Sequence, residues 1–162
     1  MNMSDNAGSI NLIIGCMFSG KSTETIRLIR RYQNIKGKNI LVINHEIDKR
    51  YGESVISSHD KVQIKCISLK NLFDFVTNAA DNDRKNVFVT GLDGDYKRDT
   101  FGDICRLIPH AENVTKLKAL CVKCEDGTLA TFTKRIINND KVELVGNDDI
   151  YIPVCRFHYL EN

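Results

Sequence analysis

One eight-residue stretch near the start of the chain has the residue types and spacing of a phosphate-binding loop. Residues 15–22 satisfy the pattern Gly-x-x-x-x-Gly-Lys-Ser/Thr. The glycines allow backbone N–H groups to close around phosphate oxygens, and a following helix adds the positive end of its dipole. Lys21 can reach the β- and γ-phosphates, and Ser22 can ligate Mg²⁺. The alternative is a chance turn before a helix, but the apolar strand pattern before the loop favours a nucleotide site. The predicted nucleotide-binding residues are Gly15, Cys16, Met17, Phe18, Ser19, Gly20, Lys21 and Ser22.

A second set of residues has the spacing of a structural zinc site. Cys121 and Cys124 form a Cys-x-x-Cys pair, and Cys155 and His158 form a Cys-x-x-His pair. Two such pairs on separate turns can meet one tetrahedral zinc ion, whereas four unrelated residues would not need this spacing. Segments 128–134 and 142–145 can form the hairpin that brings the pairs together. The other cysteines, Cys16, Cys66 and Cys105, lack close partners and are predicted to be small core residues.

The elements that must position these residues alternate between strands and helices. Short apolar runs at 10–14, 39–44, 62–67 and 86–91 predict strands. Amphipathic spacing predicts one helix from Lys21 that Gly37 ends, and another over 68–80 with Ser68 as its cap. A short helix is predicted near 102–109. This order indicates an α/β fold with a parallel sheet.

The character of the chain changes after about residue 116, where cysteine pairs and short alternating segments replace the helical pattern. We therefore predict a disordered tail at 1–8, a phosphate-loop domain at 9–116 and a small zinc-ribbon module at 117–162.

Composition places limits on the class of protein. The chain has 162 residues, of which 42% are hydrophobic and 27% charged, with a formal net charge of +2. Such a balance is typical of globular domains and provides no large field for nucleic acid or an anionic membrane. No apolar run approaches the roughly 18 residues of a membrane span. The polar N-terminus lacks a secretory pattern, so a cytoplasmic protein with reduced cysteines is expected.

Longer stretches resemble the thymidine kinases of the cellular and poxviral type. GCMFSGKSTE, the segment LDGDYKRDTFGDICRLIPHAENVTKLKALCVKC, FTKR and VELVGNDDIYIPVCRFHY are all similar to that family. The resemblance covers residues 10–160. It implies ATP-dependent phosphorylation of thymidine at its 5′-hydroxyl, a phosphate-loop α/β domain, Mg²⁺, a structural zinc and usually a homotetramer.

The resemblance also implies a nucleoside pocket within and beside the C-terminal module. A family loop that reads the pyrimidine edge through its backbone matches residues 142–146, over which Tyr151 closes. The implied substrate-binding residues are Leu92, Tyr96, Phe101, Thr133, Val142, Glu143, Leu144, Val145, Gly146 and Tyr151. Without the resemblance, the apolar ones among them would be interpreted as core residues.

The chain departs from the family pattern in two places. Cys16 replaces a usual proline, a mild change because that position supplies mainly backbone. Between Asp60 and Leu92, the family has an apolar strand that ends in acidic residues and supplies the glutamate base, and this chain has no such segment. Either the strand predicted at 62–67 takes the vacant place beside the phosphate-loop strand, or that place stays empty.

No other carboxylate matches the base residue by residue. Asp74 lies in a helical pattern at a position expected to face solvent, and Glu46, Asp48, Asp93 and Asp95 match no base position. The catalytic base therefore stays unassigned.

Three functions follow from these observations. The first is an ordinary thymidine kinase, and the second is a catalytically weak relative that binds nucleotide and zinc. The third, a zinc ribbon that binds nucleic acid, is the weakest because its charges are mixed and no basic aromatic face is present. A general base typically contributes roughly 10²- to 10⁴-fold, so thymidine phosphorylation is expected at least a hundredfold below that of an intact relative.

Overall fold

The computed structural model describes residues 8–35, 71–137 and 148–161, together with the backbone of four short strands between 43 and 69. Residues 1–7, most of the predicted tail, lie outside this part. Gly8, the last residue of that predicted tail, lies within the described part, where a Cβ placed on it would stand 2.2 Å from the carbonyl oxygen of Ala80. No helix within the described part has the length and apolar character needed to cross a membrane.

The described elements alternate between strands and helices in the N-terminal part and become short strands in the C-terminal part. The strands are β1 (Ser9–Gly15), β2 (Ile43–His45), β3 (Val55–Ser57), β4 (Gln63–Lys65), β5 (Ile67–Leu69), β6 (Asn86–Gly91), β7 (Asn113–Leu117), β8 (Ala119–Leu120), β9 (Leu129–Ala130), β10 (Phe132–Arg135) and β11 (Tyr151–Val154). The helices are α1 (Lys21–Gln33), α2 (Leu72–Asp81) and α3 (Arg156–Leu160), with a 3₁₀ helix at Ile104–His110.

A parallel sheet with β1 at its centre positions the phosphate loop. β1 pairs with β6 on one side and with β7 on the other, so that Leu12 lies between Val89 and Val114. A central parallel strand is buried on both faces, which is why β1 has consecutive apolar residues instead of an alternating pattern. Ile10, Leu12, Ile13 and Ile14 are all almost completely buried. The predicted α/β class is confirmed, but the alternative of an empty place beside the phosphate-loop strand is wrong, because both edges of β1 are paired.

Helix α1 follows the loop and packs Ile26 and Ile29 inward while Arg27 and Arg30 remain exposed. The predicted end at Gly37 is wrong, since the helix stops at Gln33. Asn34 ends it, because its side-chain amide donates to the carbonyl oxygen of Arg30 at 3.1 Å and satisfies a carbonyl of the last turn.

Helix α2 begins at Leu72, so the predicted start at Ser68 is wrong. Ser68 lies in β5, which pairs in parallel with β2. The cap is Asn71, whose Oδ1 accepts from the backbone N–H of Asp74 at 3.3 Å while its Nδ2 donates to the Asp74 carboxylate at 2.6 Å. This cap satisfies an orphan N–H of the first turn.

The strand predicted at 62–67 is divided between two short elements. β4 pairs antiparallel with β3, and Ile67 begins β5. Since both neighbours of β1 are other strands, the expectation that residues 62–67 join β1 is wrong. Cys66 lies outside the described residues.

Two antiparallel pairs, β8 with β9 and β10 with β11, build the C-terminal module. Segment 142–145, the predicted hairpin partner, lies outside the described residues. The predicted hairpin between 128–134 and 142–145 therefore stays a prediction, and within the described residues β10 pairs with β11, with Phe132 opposite Val154 and Arg135 opposite Tyr151.

Candidate functional site

The predicted phosphate loop connects the carboxyl end of β1 to the first residue of α1. Gly15 has φ 148° and a Cβ there would lie 2.3 Å from the carbonyl oxygen of Leu117 in β7, so only glycine fits. Phe18 and Gly20 also have positive φ, at 62° and 83°. These left-handed residues bend the chain back so that it forms a compact turn before α1.

The ammonium group of Lys21 folds over this turn. Its Nζ donates to the carbonyl oxygen of Cys16 at 2.5 Å and to Ser19 Oγ at 3.3 Å. The charge thus lies above loop backbone at a helix N-terminus, where an anion is favoured. Ser22 is the second residue of α1 and is half-buried.

Cys16 is fully buried, as predicted for a core residue. Its Sγ lies 3.5 Å from the carbonyl oxygen of Ala130, and burial raises the pKa of its thiol. A neutral, buried thiol supplies no chemistry to the loop.

The carboxyl end of β6 brings a charged pair to the same edge of the sheet. Asp93 follows that strand, and its Oδ2 lies 2.6 Å from Lys116 Nζ at the end of β7. Because β1, β6 and β7 are parallel, their carboxyl ends meet at this edge, which is where α/β folds bind ligands. Half-buried Cys105 lies beneath it, with Sγ 3.2 Å from the Asp93 carbonyl oxygen.

The position of Asp74 excludes it as the catalytic base. It is exposed and occupied in the helix cap described above. Asp95 accepts from the backbone N–H groups of Lys97 and Asp99, which makes it part of a turn. Glu46 and Asp48 lie outside the described residues.

Arg135, which was not among the predicted site residues, brings two predicted pocket residues together. The guanidinium carbon of Arg135 lies 3.7 Å from the ring centre of Tyr96 and 5.2 Å from that of Tyr151. Its Nη2 also donates to the Tyr151 hydroxyl at 2.7 Å. The only sequence signal for Arg135 was its place in the FTKR stretch.

Thr133, two residues earlier on the same strand, contacts the phosphate loop. Its buried Oγ1 accepts from the backbone N–H of Met17 at 3.0 Å. Leu92 follows β6, and the N–H of Phe101 donates to the Asp93 carbonyl oxygen at the base of the loop between them. The remaining predicted pocket residues, at 142–146, lie outside the described part.

The predicted zinc ligands form one cluster. The three Sγ atoms and a ring nitrogen of the histidine, from Cys121, Cys124, Cys155 and His158, all lie within 4.8 Å of one another. Individual separations include 3.7 Å between the sulfurs of Cys124 and Cys155, and 3.3 Å from Cys124 Sγ to His158 Nδ1. A tetrahedron with metal–sulfur bonds of about 2.3 Å requires about 3.7 Å between its corners. The donor set and its spacing therefore fit a four-coordinate zinc.

The protonation of the cluster is consistent with metal binding. Burial raises the pKa of Cys121, but backbone N–H groups of Cys155, Lys123 and Cys124 outweigh this effect and lower it to about 6. Burial, together with the neighbouring Cys121 and Cys155 thiols, raises the pKa of Cys124 to about 11. The Cys121 thiol therefore loses its proton readily, whereas the neighbouring thiols disfavour deprotonation of Cys124. A bound cation would neutralise the thiolates and so favour both deprotonated forms.

A match to a family model covers most of the chain. The model described as thymidine kinase matches residues 8–83 and 66–159. Residues 66–83 are matched twice, once as the end of the first stretch and once as the start of the second. The match is thus divided within the region where the sequence departs from the family pattern.

Curated relatives lead to the same assignment. The chain is similar to thymidine kinases of Oryza sativa subsp. japonica (37% identity, 95% of this chain and 67% of the relative), Myxoma virus strain Uriarra (41%, 94% and 96%) and Vaccinia virus strain Western Reserve (37%, 97% and 99%). The aligned stretches span 183, 175 and 180 residues, more than this chain contains, so each relative has residues with no counterpart here. Both comparisons agree over nearly the whole length: the chain belongs to the thymidine kinase family.

Proposed function

We propose that this protein transfers the γ-phosphoryl group of ATP to the 5′-hydroxyl of thymidine. The observation that carries the proposal is a Gly-x-x-x-x-Gly-Lys-Ser loop at the carboxyl edge of a parallel sheet, in a chain of this family. In this role residues 15–22 bind the phosphates of ATP. Lys21 neutralises the β- and γ-phosphates in place of its contacts with Cys16 and Ser19, and Ser22 would ligate Mg²⁺.

The nucleoside binds between the end of β6 and the β10–β11 pair. Tyr96 and Tyr151 share contact with Arg135, which supports their assignment to one pocket with Leu92, Phe101 and Thr133. The hydrogen bond from Met17 to Thr133 supports a short distance between this pocket and the phosphate loop. Residues 142–146 are proposed to complete the pocket around the pyrimidine.

In the reaction, the 5′-oxygen of thymidine forms a bond to the γ-phosphorus, and the bond from that phosphorus to the β–γ bridging oxygen breaks. The products are thymidine monophosphate and ADP, and the proton of the hydroxyl passes to a base or to water. Most of the acceleration comes from positioning and charge neutralisation, which the phosphate loop supplies. A protein with a weak base therefore retains a route to the product.

The proposal is tested by thymidine phosphorylation with ATP and Mg²⁺ in the wild-type chain and in Lys21→Ala. Removal of the ammonium should abolish measurable turnover and weaken ATP binding in calorimetry. Lys85→Ala is the matched control, because Lys85 is exposed and precedes β6 at the opposite edge of the sheet. Equal turnover or equal ATP affinity in Lys21→Ala would rule out the loop as the nucleotide site.

Zinc in the C-terminal module, a homotetrameric state and a cytoplasmic location complete the proposal. The four-residue cluster supports the zinc. Light scattering after size-exclusion chromatography tests the tetramer, and a monomeric mass would contradict it.

A further inference from the structure

The loop that connects Leu92 to Phe101 is a closed turn. Gly94 and Thr100 form an antiparallel bridge across its base. Inside it, Asp95 Oδ1 accepts from the backbone N–H groups of Lys97 at 2.7 Å and Asp99 at 2.9 Å. Such a turn moves as a unit, so a contact at its tip determines where Tyr96 lies.

Arg98, at the tip, has a backbone conformation that is unfavourable for it. Its φ is 72°, in the left-handed region where non-glycine residues are uncommon. This conformation aims the side chain at the zinc module, with the guanidinium carbon 4.6 Å from the ring centre of Tyr159 and 5.7 Å from that of Phe132. Backbone strain of this kind persists only where surrounding contacts compensate for it.

Tyr159 makes a second connection to the same loop. Its hydroxyl donates to the carbonyl oxygen of Tyr96 at 2.8 Å. Tyr159 immediately follows the cluster residue His158 on α3, and its ring packs on Phe132 with centres 5.4 Å apart. The position of the loop is therefore tied to the helix that carries part of the metal-binding cluster.

We propose that Tyr159 and Arg98 are positioning residues that fasten loop 94–100 to the zinc module and so determine the affinity for thymidine. The inference rests on the proposed function, because it takes Tyr96 as a pocket residue. It adds a role for the metal site: the zinc module holds one wall of the nucleoside pocket through these two side chains.

Tyr159→Phe is the sharpest test, because it removes one hydroxyl and keeps the ring. The KM for thymidine should rise about three- to tenfold, the share of a single hydrogen bond, while the KM for ATP, kcat and zinc content stay unchanged. Tyr32→Phe is the matched control, since Tyr32 lies on α1 with its ring on Phe88 and should leave every value unchanged.

Arg98 variants separate the side chain from the backbone strain. Arg98→Gly removes the guanidinium but suits a φ of 72°, so the turn is preserved and only the contact with the rings is lost. It should raise the KM for thymidine as Tyr159→Phe does, and Arg98→Lys should restore part of the affinity because it keeps a cation over the rings. If Arg98→Gly binds thymidine like the wild type, Arg98 does not position the loop.

Hydrogen–deuterium exchange tests the fastening without any substrate. The amides of Lys97 and Asp99 should exchange several-fold faster in Tyr159→Phe and in protein treated with a zinc chelator, but not in Tyr32→Phe. Unchanged exchange would overturn the proposal, as would faster exchange with an unchanged KM for thymidine. If the wild-type chain neither binds nor phosphorylates thymidine, the proposed function fails, and exchange alone still decides whether the loop is fastened.

Discussion

The parallel sheet and the C-terminal module differ in the size of the apolar side chains that they bury. The sheet buries a cluster of large apolar side chains, among them Ile10, Leu12, Val76 and Leu107, each at most 2% exposed. The second buried cluster consists of Ala119, Cys121, Ala130 and Val154 of the module together with Cys16 of the phosphate loop, and these residues are mostly small. Burial stabilises in proportion to apolar area, so the module gains much less from its core.

The module has a small apolar core, but it also contains the four candidate metal ligands. Its strands have two to four residues each, and α3 has five. Elements this short are marginal in isolation, and small domains with little core commonly depend on a metal. We therefore expect one part of this chain to fold through hydrophobic burial and the other to depend on a metal bound by its Cys and His cluster.

The largest effect should come from the loss of a metal ligand. Cys155→Ala removes one of four ligands, so the zinc content should fall from about one per chain to almost none, and β8 to β11 should lose protection from exchange. Amides of β1 should remain protected, because the sheet has its own core. Metal analysis and exchange measure both results. Cys105→Ala, outside the cluster, should keep its zinc, and a zinc-free wild type with the same stability would contradict the comparison.

Truncation of a buried side chain in the sheet should lower stability far more than truncation of an exposed side chain in the module. Leu12→Ala in β1 should lower the free energy of unfolding by about 2–5 kcal/mol, because it removes buried apolar area and leaves a cavity. Leu120→Ala in β8 is the matched control, since Leu120 is 62% exposed and its truncation should change stability by less than about 0.5 kcal/mol. Urea unfolding measures both variants, and equal losses would contradict the burial of Leu12 as a main source of stability in the sheet.

The acidic strand that supplies the base in the family is missing from this chain, and its absence should slow the reaction. Thymidine turnover should be at least about a hundredfold below that of the Myxoma virus relative, which is the usual share of a general base. Parallel assays of both proteins under one set of conditions measure the difference. A turnover within a few-fold of the relative would show that another acid has taken the role, and Asp48→Asn and Asp93→Asn would then identify it.

The smallest effect should come from the cap of α2. Asn71→Ala should lower stability by about 1 kcal/mol, because the N–H of Asp74 loses its acceptor, whereas Asn71→Ser should retain most of it. Ser68→Ala should leave the cap intact, since Ser68 lies in β5. Thermal unfolding compares the three variants, and a larger loss in Ser68→Ala than in Asn71→Ala would support the cap predicted from sequence.

Predictions from sequence were accurate where the signal is local. The strand at 86–91 has the predicted bounds, and the 3₁₀ helix falls close to the predicted position. Predictions failed at the end of α1 and at the start of α2, where the side chains of Asn34 and Asn71 bond to terminal backbone groups. Such bonds depend on side-chain geometry that periodicity does not contain.

By itself the sequence predicted the phosphate loop and the candidate zinc ligands, because both predictions depend on spacings of a few residues, and a short spacing restricts what the backbone can do. Only the tertiary structure decided which strands flank β1, that Thr133 contacts Met17, and that Tyr159 holds the loop of Tyr96. These contacts join residues far apart along the chain. The packing of whole elements brings them together, and no local pattern of residue types encodes that packing.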